Sequence, residues 1–219
     1  MHNVTVAFAA LLVMLLSYFF GCFNGSFMVS HFIIRDDVRK HGSGNAGLTN
    51  FYRTYGAKYA LLVIACDMGK TVAACLLGSF FFRCLGWDGT LGTLLAGLGC
   101  ELGHIFPVFY GFRGGKGILS GGTLVLLLNW RVAAVAWALF LLLWLTTRYV
   151  SLASITATCS APITVYFVYG HNWLYTGLCL VVAALVVWCH RENIQRLLHG
   201  TEKKFKWHVN PTEGKEPPQ

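Results

Sequence analysis

Seven apolar runs, at residues 4–34, 59–82, 89–106, 118–130, 132–147, 152–169 and 174–189, take up most of this 219-residue chain. Most come close to the roughly 17 to 25 residues a helix needs to cross a bilayer. The chain therefore reads as an all-α integral membrane protein of about seven transmembrane helices. The fourth and fifth runs are short. They are alternatively one tight hairpin turning at Asn129-Trp130-Arg131, which leaves the count open by about two. Composition agrees: 56% of residues are hydrophobic and 12% charged, against about 25% charged in a soluble domain. The first run is longer than a bilayer requires, and its polar interruption at residues 21–26 predicts a kink or a close packing point. With no Lys or Arg before Val4 and no small-residue cleavage site, it reads as a span and not as a leader.

The net charge of +8 is explained by topology and does not call for nucleic acid. If the N-terminus lies outside, one face collects Arg35, Arg39, Lys40, Arg53, Lys58, Arg113, Lys116, Arg148, Arg191, Arg196, Lys203, Lys204, Lys206 and Lys215. Only Arg83 and Arg131 fall on the other face, and Lys70 lies within a span. This bias predicts a multi-pass membrane protein with its N-terminus outside and its C-terminus in the cytoplasm. Residues 1–206 form one membrane domain, followed by a flexible tail at 207–219. The eight cysteines include no C-x-x-C pair and lie mostly in apolar runs, so they are packing residues, and no metal site or disulfide is expected.

Two glycine-rich stretches lie between spans on the basic face. One runs His41-Gly42-Ser43-Gly44-Asn45-Ala46-Gly47-Leu48-Thr49-Asn50; the other is Phe112-Arg113-Gly114-Gly115-Lys116-Gly117. Runs of backbone N–H groups beside hydroxyl, amide or cationic side chains hold phosphate oxygens. A phosphate cradle at a membrane surface points to lipid chemistry. Charged residues inside spans are read two ways. Asp67 and Lys70 share a helix face and neutralise one another, either docking helices or lining a polar site. Glu101, three residues before His104, leaves the same choice.

The ordered motifs resemble a known family over roughly residues 21–205. The first is similar to Asp37-x-Arg39-x-x-Gly42-Ser43-Gly44-Asn45-x-Gly47-x-Thr49-Asn50-x-x-Arg53. The second is Gly103-His104-x-Phe106-Pro107-x-Phe109 followed by Phe112-Arg113-Gly114-Gly115-Lys116-Gly117. The third joins Ser151-Leu152-Ala153-Ser154 to His190-Arg191-Glu192-Asn193-Ile194 and Arg196-Leu197-Leu198-x-Gly200-Thr201-Glu202. Together they resemble the bacterial acyl-phosphate:glycerol-3-phosphate acyltransferases, the PlsY family. The resemblance implies transfer of an acyl group from an acyl phosphate to the 1-hydroxyl of sn-glycerol 3-phosphate. The products are 1-acylglycerol 3-phosphate (lysophosphatidic acid) and inorganic phosphate, at the first step of phospholipid synthesis. No cofactor is implied, and a soluble acyl-phosphate synthase supplies the donor.

The chemistry fits those residues. An acyl phosphate already carries a good leaving group, so positioning two phosphates and stabilising the oxyanion supply most of the rate. Ser43 and Asn45 with the amides of residues 42–47, Gly44 included, cradle one phosphate. Lys116 with the Gly114, Gly115 and Gly117 backbone takes another. Arg53 offers a bidentate fork, and Thr49 and Asn50 join the first site through the resemblance. His190 and Asn193, three apart at a helix end, can face one ligand. His190 and His104 are the candidate bases, His104 alternatively orienting the loop before Pro107, and the substrate phosphate is a third proton acceptor. Ser151 or Ser154 binds phosphate or caps a helix, and direct transfer is preferred to an acyl-serine because neither serine has a recognisable base partner.

Competing readings are weaker. His31-x4-Asp36 matches a signature of unrelated acyltransferases with nothing else following, and Gly69-Lys70-Thr71 lacks the earlier glycine of a P-loop. A transporter of phosphate esters or other anions would show duplicated halves, and no repeat is evident. Glycine-mediated packing at Gly99-x3-Gly103 and Gly111-x3-Gly115 leaves Asn45, Asn50, Arg53 and Lys116 unexplained. The chain departs from the family near its start, where Gly21-Cys22-Phe23-Asn24 replaces Gly-Ser-x-Pro and loses a hydroxyl and a proline kink.

Overall fold

The computed structural model describes residues 2–206, so the tail expected at 207–219 lies outside the described residues. The apolar runs form helices, and no strand occurs among the described residues. In order they are α1 (His2–Cys22), α2 (Gly25–Met28, continued by a π-turn at Val29–Ile34), α3 (Leu48–Tyr55), α4 (Ala60–Cys84), α5 (Gly89–Ile105), α6 (Ile118–Leu128), α7 (Trp130–Thr147), α8 (Val150–Val168), α9 (Trp173–Cys189) and α10 (Arg191–Leu198).

Five segments are long and apolar enough to span a membrane: Val4–Ile34, Ala60–Cys84, Gly89–Tyr110, Trp130–Thr147 and Val150–Val168. A sixth is Trp173–Cys189 with Arg191–Leu198, bent by 59°. α6 has 11 residues, about 16 Å of helix, which is short of the roughly 30 Å hydrocarbon core. The break after α6 falls at Asn129, whose extended backbone ends one helix and whose side chain caps the next through Arg131 N.

The Gly89–Tyr110 segment is the central element, with 78% of its apolar window buried. Glycine is what admits its neighbours. A Cβ at Gly99 or Gly103 would collide with the Met14 and Tyr18 carbonyls of α1, and one at Gly92 would collide with Gly78 of α4. Gly99-x3-Gly103 is thus a true packing motif, whereas Gly111-x3-Gly115 lies in a loop and a short turn. α7, α8 and α9 complete the bundle around Leu94, Val125, Leu128, Val132, Val165 and Tyr175.

The predicted interruption of the first span is a full break at Phe23 and Asn24. Lys70 Nζ donates to the Gly21 and Phe23 carbonyls at 3.1 and 3.0 Å, while Asp67 Oδ1 accepts from Gly25 N at 3.0 Å. A cation thus meets the carbonyl end of α1 and an anion the amide end of α2, each matching the local helix dipole. Asp67 and Lys70 pair at 2.8 Å and dock the helices, and Asp67 also lines the cavity described below, so both readings of this pair hold. Asn24 replaces the proline by another means. Its Oδ1 caps α2 at Phe27 N, and its Nδ2 donates to the Ala46 carbonyl, tying the break to the first glycine-rich stretch.

Candidate active site

The first glycine-rich stretch is shaped by its own side chains. Asn50 Nδ2 donates to the Val38, His41 and Asn45 carbonyls at 3.0 to 3.1 Å, and its Oδ1 accepts from Ser43 N at 3.0 Å. The side-chain amide of Asn50 is therefore taken up by the loop, although the residue lines the cavity described below. Arg39 braces the approach by pairing with Asp37 at 2.9 Å and donating to Tyr110 O at 2.7 Å. That hydrogen-bonded guanidinium holds the Asp37 carboxyl below the usual range. Gly44 takes a positive φ of 70° and donates to His41 O, so it turns the chain.

The second stretch is pinned to the end of α5. Gly114 N donates to Ile105 O at 3.1 Å, Gly115 N to His104 O at 3.0 Å, and Ala46 N to Gly114 O at 3.3 Å. The expectation that the Gly114 and Gly115 amides cradle phosphate is therefore corrected, because both already have carbonyl partners. Ser43, Gly44 and Ala46 are likewise bonded within the fold. What each stretch presents to the cavity instead is an uncapped helix start. α3 opens after Gly47 and α6 after Gly117, neither with a side-chain cap. The first bonds, Phe51 N to Gly47 O and Gly121 N to Gly117 O, leave the three preceding amides of each helix without an intrahelical acceptor. Gly117 is fixed twice over: its φ is +83°, and a Cβ there would run into Glu101 Oε1.

Both helix starts open on one cavity of about 580 Å³. Ser43, Asn45, Thr49 and Arg53 line one wall of its polar end, Lys116 and Gly117 a second, and Ser151, His190 and Asn193 a third. Lys116 donates to Asn193 Oδ1. Burial, and then the nearby Arg196, hold its pKa below the ordinary lysine value. His190 Nδ1 lies 2.8 Å from the Val186 carbonyl. A carbonyl only accepts, so Nδ1 carries the proton and Nε2 is the nitrogen left for a ligand.

His104 is differently placed. Its Nδ1 faces Lys70 Nζ at 2.8 Å and Asp67 Oδ1 at 3.5 Å, and its ring packs where a Gly115 Cβ would be. An ammonium only donates, so Nδ1 is an occupied acceptor. The structure thus supports the loop-orienting reading of His104, whose side chain also lines the cavity described above. Glu101 is 1% exposed and supports Gly117.

Glu202 was not among the expected site residues, although it closes the third motif. Its Oε1 accepts from Ser151 Oγ and Asn193 Nδ2, both at 2.7 Å, and its Oε2 from Arg196 Nε at 2.7 Å. Burial opposes the charge, but those hydrogen bonds outweigh it and leave the carboxyl below the usual glutamate range. Ser151 therefore caps nothing and is oriented by Glu202. The segment carrying Glu202 crosses the mouth of the cavity: Arg53 donates to Lys203 O at 3.1 Å, Phe205 N donates to Arg148 O at 2.8 Å, and the Phe205 ring stacks on Tyr52. An acid placed beside the basic residues that close the third motif was the available signal for it.

Beyond the polar mouth the cavity is apolar, lined by Leu124, Val125, Leu128, Ala161, Cys179 and Val186. No group of three or more metal-ligating side chains occurs among the described residues.

Residues 11–200 match the family model described as glycerol-3-phosphate acyltransferase. A curated glycerol-3-phosphate acyltransferase of Syntrophomonas wolfei subsp. wolfei is 40% identical over 197 residues, covering 90% of this chain and 96% of that protein. One of Finegoldia magna is 38% identical over 189 residues, covering 86% and 92%. The fold is similar to the crystal structure of PlsY, an integral membrane glycerol 3-phosphate acyltransferase, in its glycerol 3-phosphate form. The TM-score is 0.79 at 38% identity, covering 90% of this chain and 96% of that one. For the lysophosphatidic acid form the TM-score is 0.77 at 36% identity, with the same coverage.

Proposed function

Because the chain belongs to the PlsY family of glycerol-3-phosphate acyltransferases, we propose that its acyl donor is an acyl phosphate and assign the site residues on that basis. The protein is an integral membrane enzyme of phospholipid synthesis that transfers an acyl group to glycerol 3-phosphate, giving lysophosphatidic acid. Two uncapped helix starts on one cavity carry the proposal, since two phosphate-bearing substrates need two anion sites. Ser43 and Asn45 before α3, Thr49 in its first turn and Arg53 in its last hold one phosphate. Lys116 at the start of α6, with the Asn193 amide, holds the other, and Ser151, whose hydroxyl proton goes to Glu202, fixes that carboxylate beside it.

With both phosphates held, the 1-hydroxyl attacks the acyl carbon, a C–O bond forms, and the tetrahedral oxyanion collapses with loss of phosphate. His190 Nε2 takes the hydroxyl proton and returns it to the departing phosphate. Glu202 and Asn50 orient other residues, and His104 steadies the Gly114–Lys116 backbone. The basic face carrying these motifs is cytoplasmic and the N-terminus lies outside, in the bacterial inner membrane. There a soluble acyl-phosphate synthase supplies the donor.

The test uses purified protein in detergent with labelled glycerol 3-phosphate, offered an acyl phosphate or an acyl-CoA. Lysophosphatidic acid from the acyl phosphate supports the donor assignment. Product from acyl-CoA alone overturns it.

A further inference from the structure

A second cavity, of about 190 Å³, lies at the opposite end of the bundle from the active-site mouth, where α4 ends, α5 begins and α6 ends. Ser79 and Arg83 of α4 line it with Thr90 and Thr93 of α5 and Leu127 and Leu128 of α6, and Leu128 alone is shared with the active-site cavity. Arg83 belongs to none of the ion pairs among the described residues. Asp88, the acid nearest to it in sequence, caps α5 by accepting from Thr90 N at 2.8 Å. Thr93 Oγ1 gives its proton to Gly89 O at 3.1 Å. No hydrogen bond among the described residues engages the Arg83 guanidinium or the Ser79 and Thr90 hydroxyls. Gly89 brings the start of α5 against this group, since a Cβ there would collide with Arg83 Nε and Ser79 Oγ. The packing thus fixes the guanidinium at its base. A cation beside hydroxyls free to donate suits a ligand that only accepts hydrogen bonds, and the guanidinium fork matches paired phosphate oxygens.

The depth of the cavity says where such a phosphate comes from. α4 has 25 residues, about 37 Å of helix, which exceeds the roughly 30 Å hydrocarbon core. Its last turn, carrying Arg83, therefore reaches the headgroup level. Leu76, which also lines the cavity, stands seven residues back along the same face, about 10 Å deeper. It is 57% exposed, and Phe80, one turn on, is 66% exposed. We propose that this cavity binds the phosphate of a bilayer glycerophospholipid in the leaflet opposite the active-site mouth. Arg83 pairs with two phosphate oxygens, Ser79 and Thr90 donate to them, and an acyl chain runs along Leu76 and Phe80. A free anion would use the donors but not the apolar face that continues from them.

The full chain, stripped of lipid by detergent exchange, is titrated with phosphatidylglycerol, with a diacylglycerol of the same chains and with inorganic phosphate. Binding is read by native mass spectrometry and by the shift in thermal unfolding. Arg83→Gln is compared with wild type and with Arg131→Gln, which removes the other arginine of that face and lies outside the cavity. Binding that survives Arg83→Gln belongs to the active-site cavity, so only the Arg83-dependent part counts. Phosphatidylglycerol should bind wild type and Arg131→Gln alike, and Arg83→Gln about tenfold or more weakly, the scale of a hydrogen bond to a charged group. Ser79→Ala should weaken binding about threefold, and it decides the matter if Arg83→Gln does not fold. Equal affinity in wild type and Arg83→Gln, equal weakening in both arginine variants, or equal binding of the diacylglycerol overturns the proposal. Arg83-dependent binding of inorganic phosphate without that of phosphatidylglycerol overturns the lipid as occupant and puts a free phosphate there instead.

Discussion

Lys116 donates to Asn193 Oδ1 across 77 residues of chain. Asn193 is held in turn by Glu202. An ammonium that burial has partly stripped of water is therefore aimed by an amide that itself cannot turn.

Lys116→Ala should remove one phosphate contact made by a charged donor. The expected result is a loss of about 10² to 10³ in kcat/KM with an unchanged thermal transition in detergent. An active Lys116→Ala enzyme would take that residue out of the site.

His190→Asn keeps a donor at the δ position for Val186 O but has no basic nitrogen. We expect kcat to fall by about 10² to 10⁴ with little change in the KM for either substrate. A quenched reaction analysed by intact mass should show no acylated Ser151 in either enzyme. Trapping such an adduct would replace single displacement with a two-step path.

Lys70→Met leaves Asp67 charged, 1% exposed and without its cation. The expected destabilisation is about 3 to 5 kcal/mol, whereas Asp67→Asn with Lys70→Met should cost less, because no uncompensated charge remains. Thermal or denaturant unfolding in detergent reads the difference. Equal losses in the single and double variants would mean that packing, not charge, dominates.

Glu202 has a folded-state pKa below its ordinary value of 4.5. Its charged form is therefore the one the fold stabilises, so its contribution is complete above the unfolded-state pKa and fades as pH falls through the lowered one. Glu202→Gln should accordingly be less stable than wild type at neutral pH, with the gap closing under acid conditions. A gap that widens on acidification would reverse the sign. Because Glu202 orients Ser151 and Asn193, the same variant should also lose activity at neutral pH.

Much of the fold was legible because hydropathy is a property of consecutive residues. The long runs became helices, the interruption at residues 21–26 became a break at Phe23 and Asn24, and Gly99 and Gly103 became a packing surface. The short runs around Asn129 were ambiguous because α6 is sheltered by other helices and need not be long enough to span alone. The site was legible as residue types on one face. Ser43, Arg53, Lys116, His190 and Asn193 do line one cavity. The sequence could not reveal which backbone amides were already bonded, since Gly114 and Gly115 find their acceptors at the end of α5.

By itself, then, the sequence determined a membrane-spanning helical chain, its basic face and the motifs that place it in its family. Each of these follows from composition over a span or from residue order within a loop. Tertiary structure alone decided that helix starts and not glycine amides face the cavity. It also decided that His104 belongs to a buried ion cluster, that Glu202 anchors the site, and that Leu128, Ala161 and Cys179 line the apolar part of the cavity. Those outcomes depend on hydrogen-bond partners and side-chain neighbours supplied from distant parts of the chain, which exist only once the helices have packed.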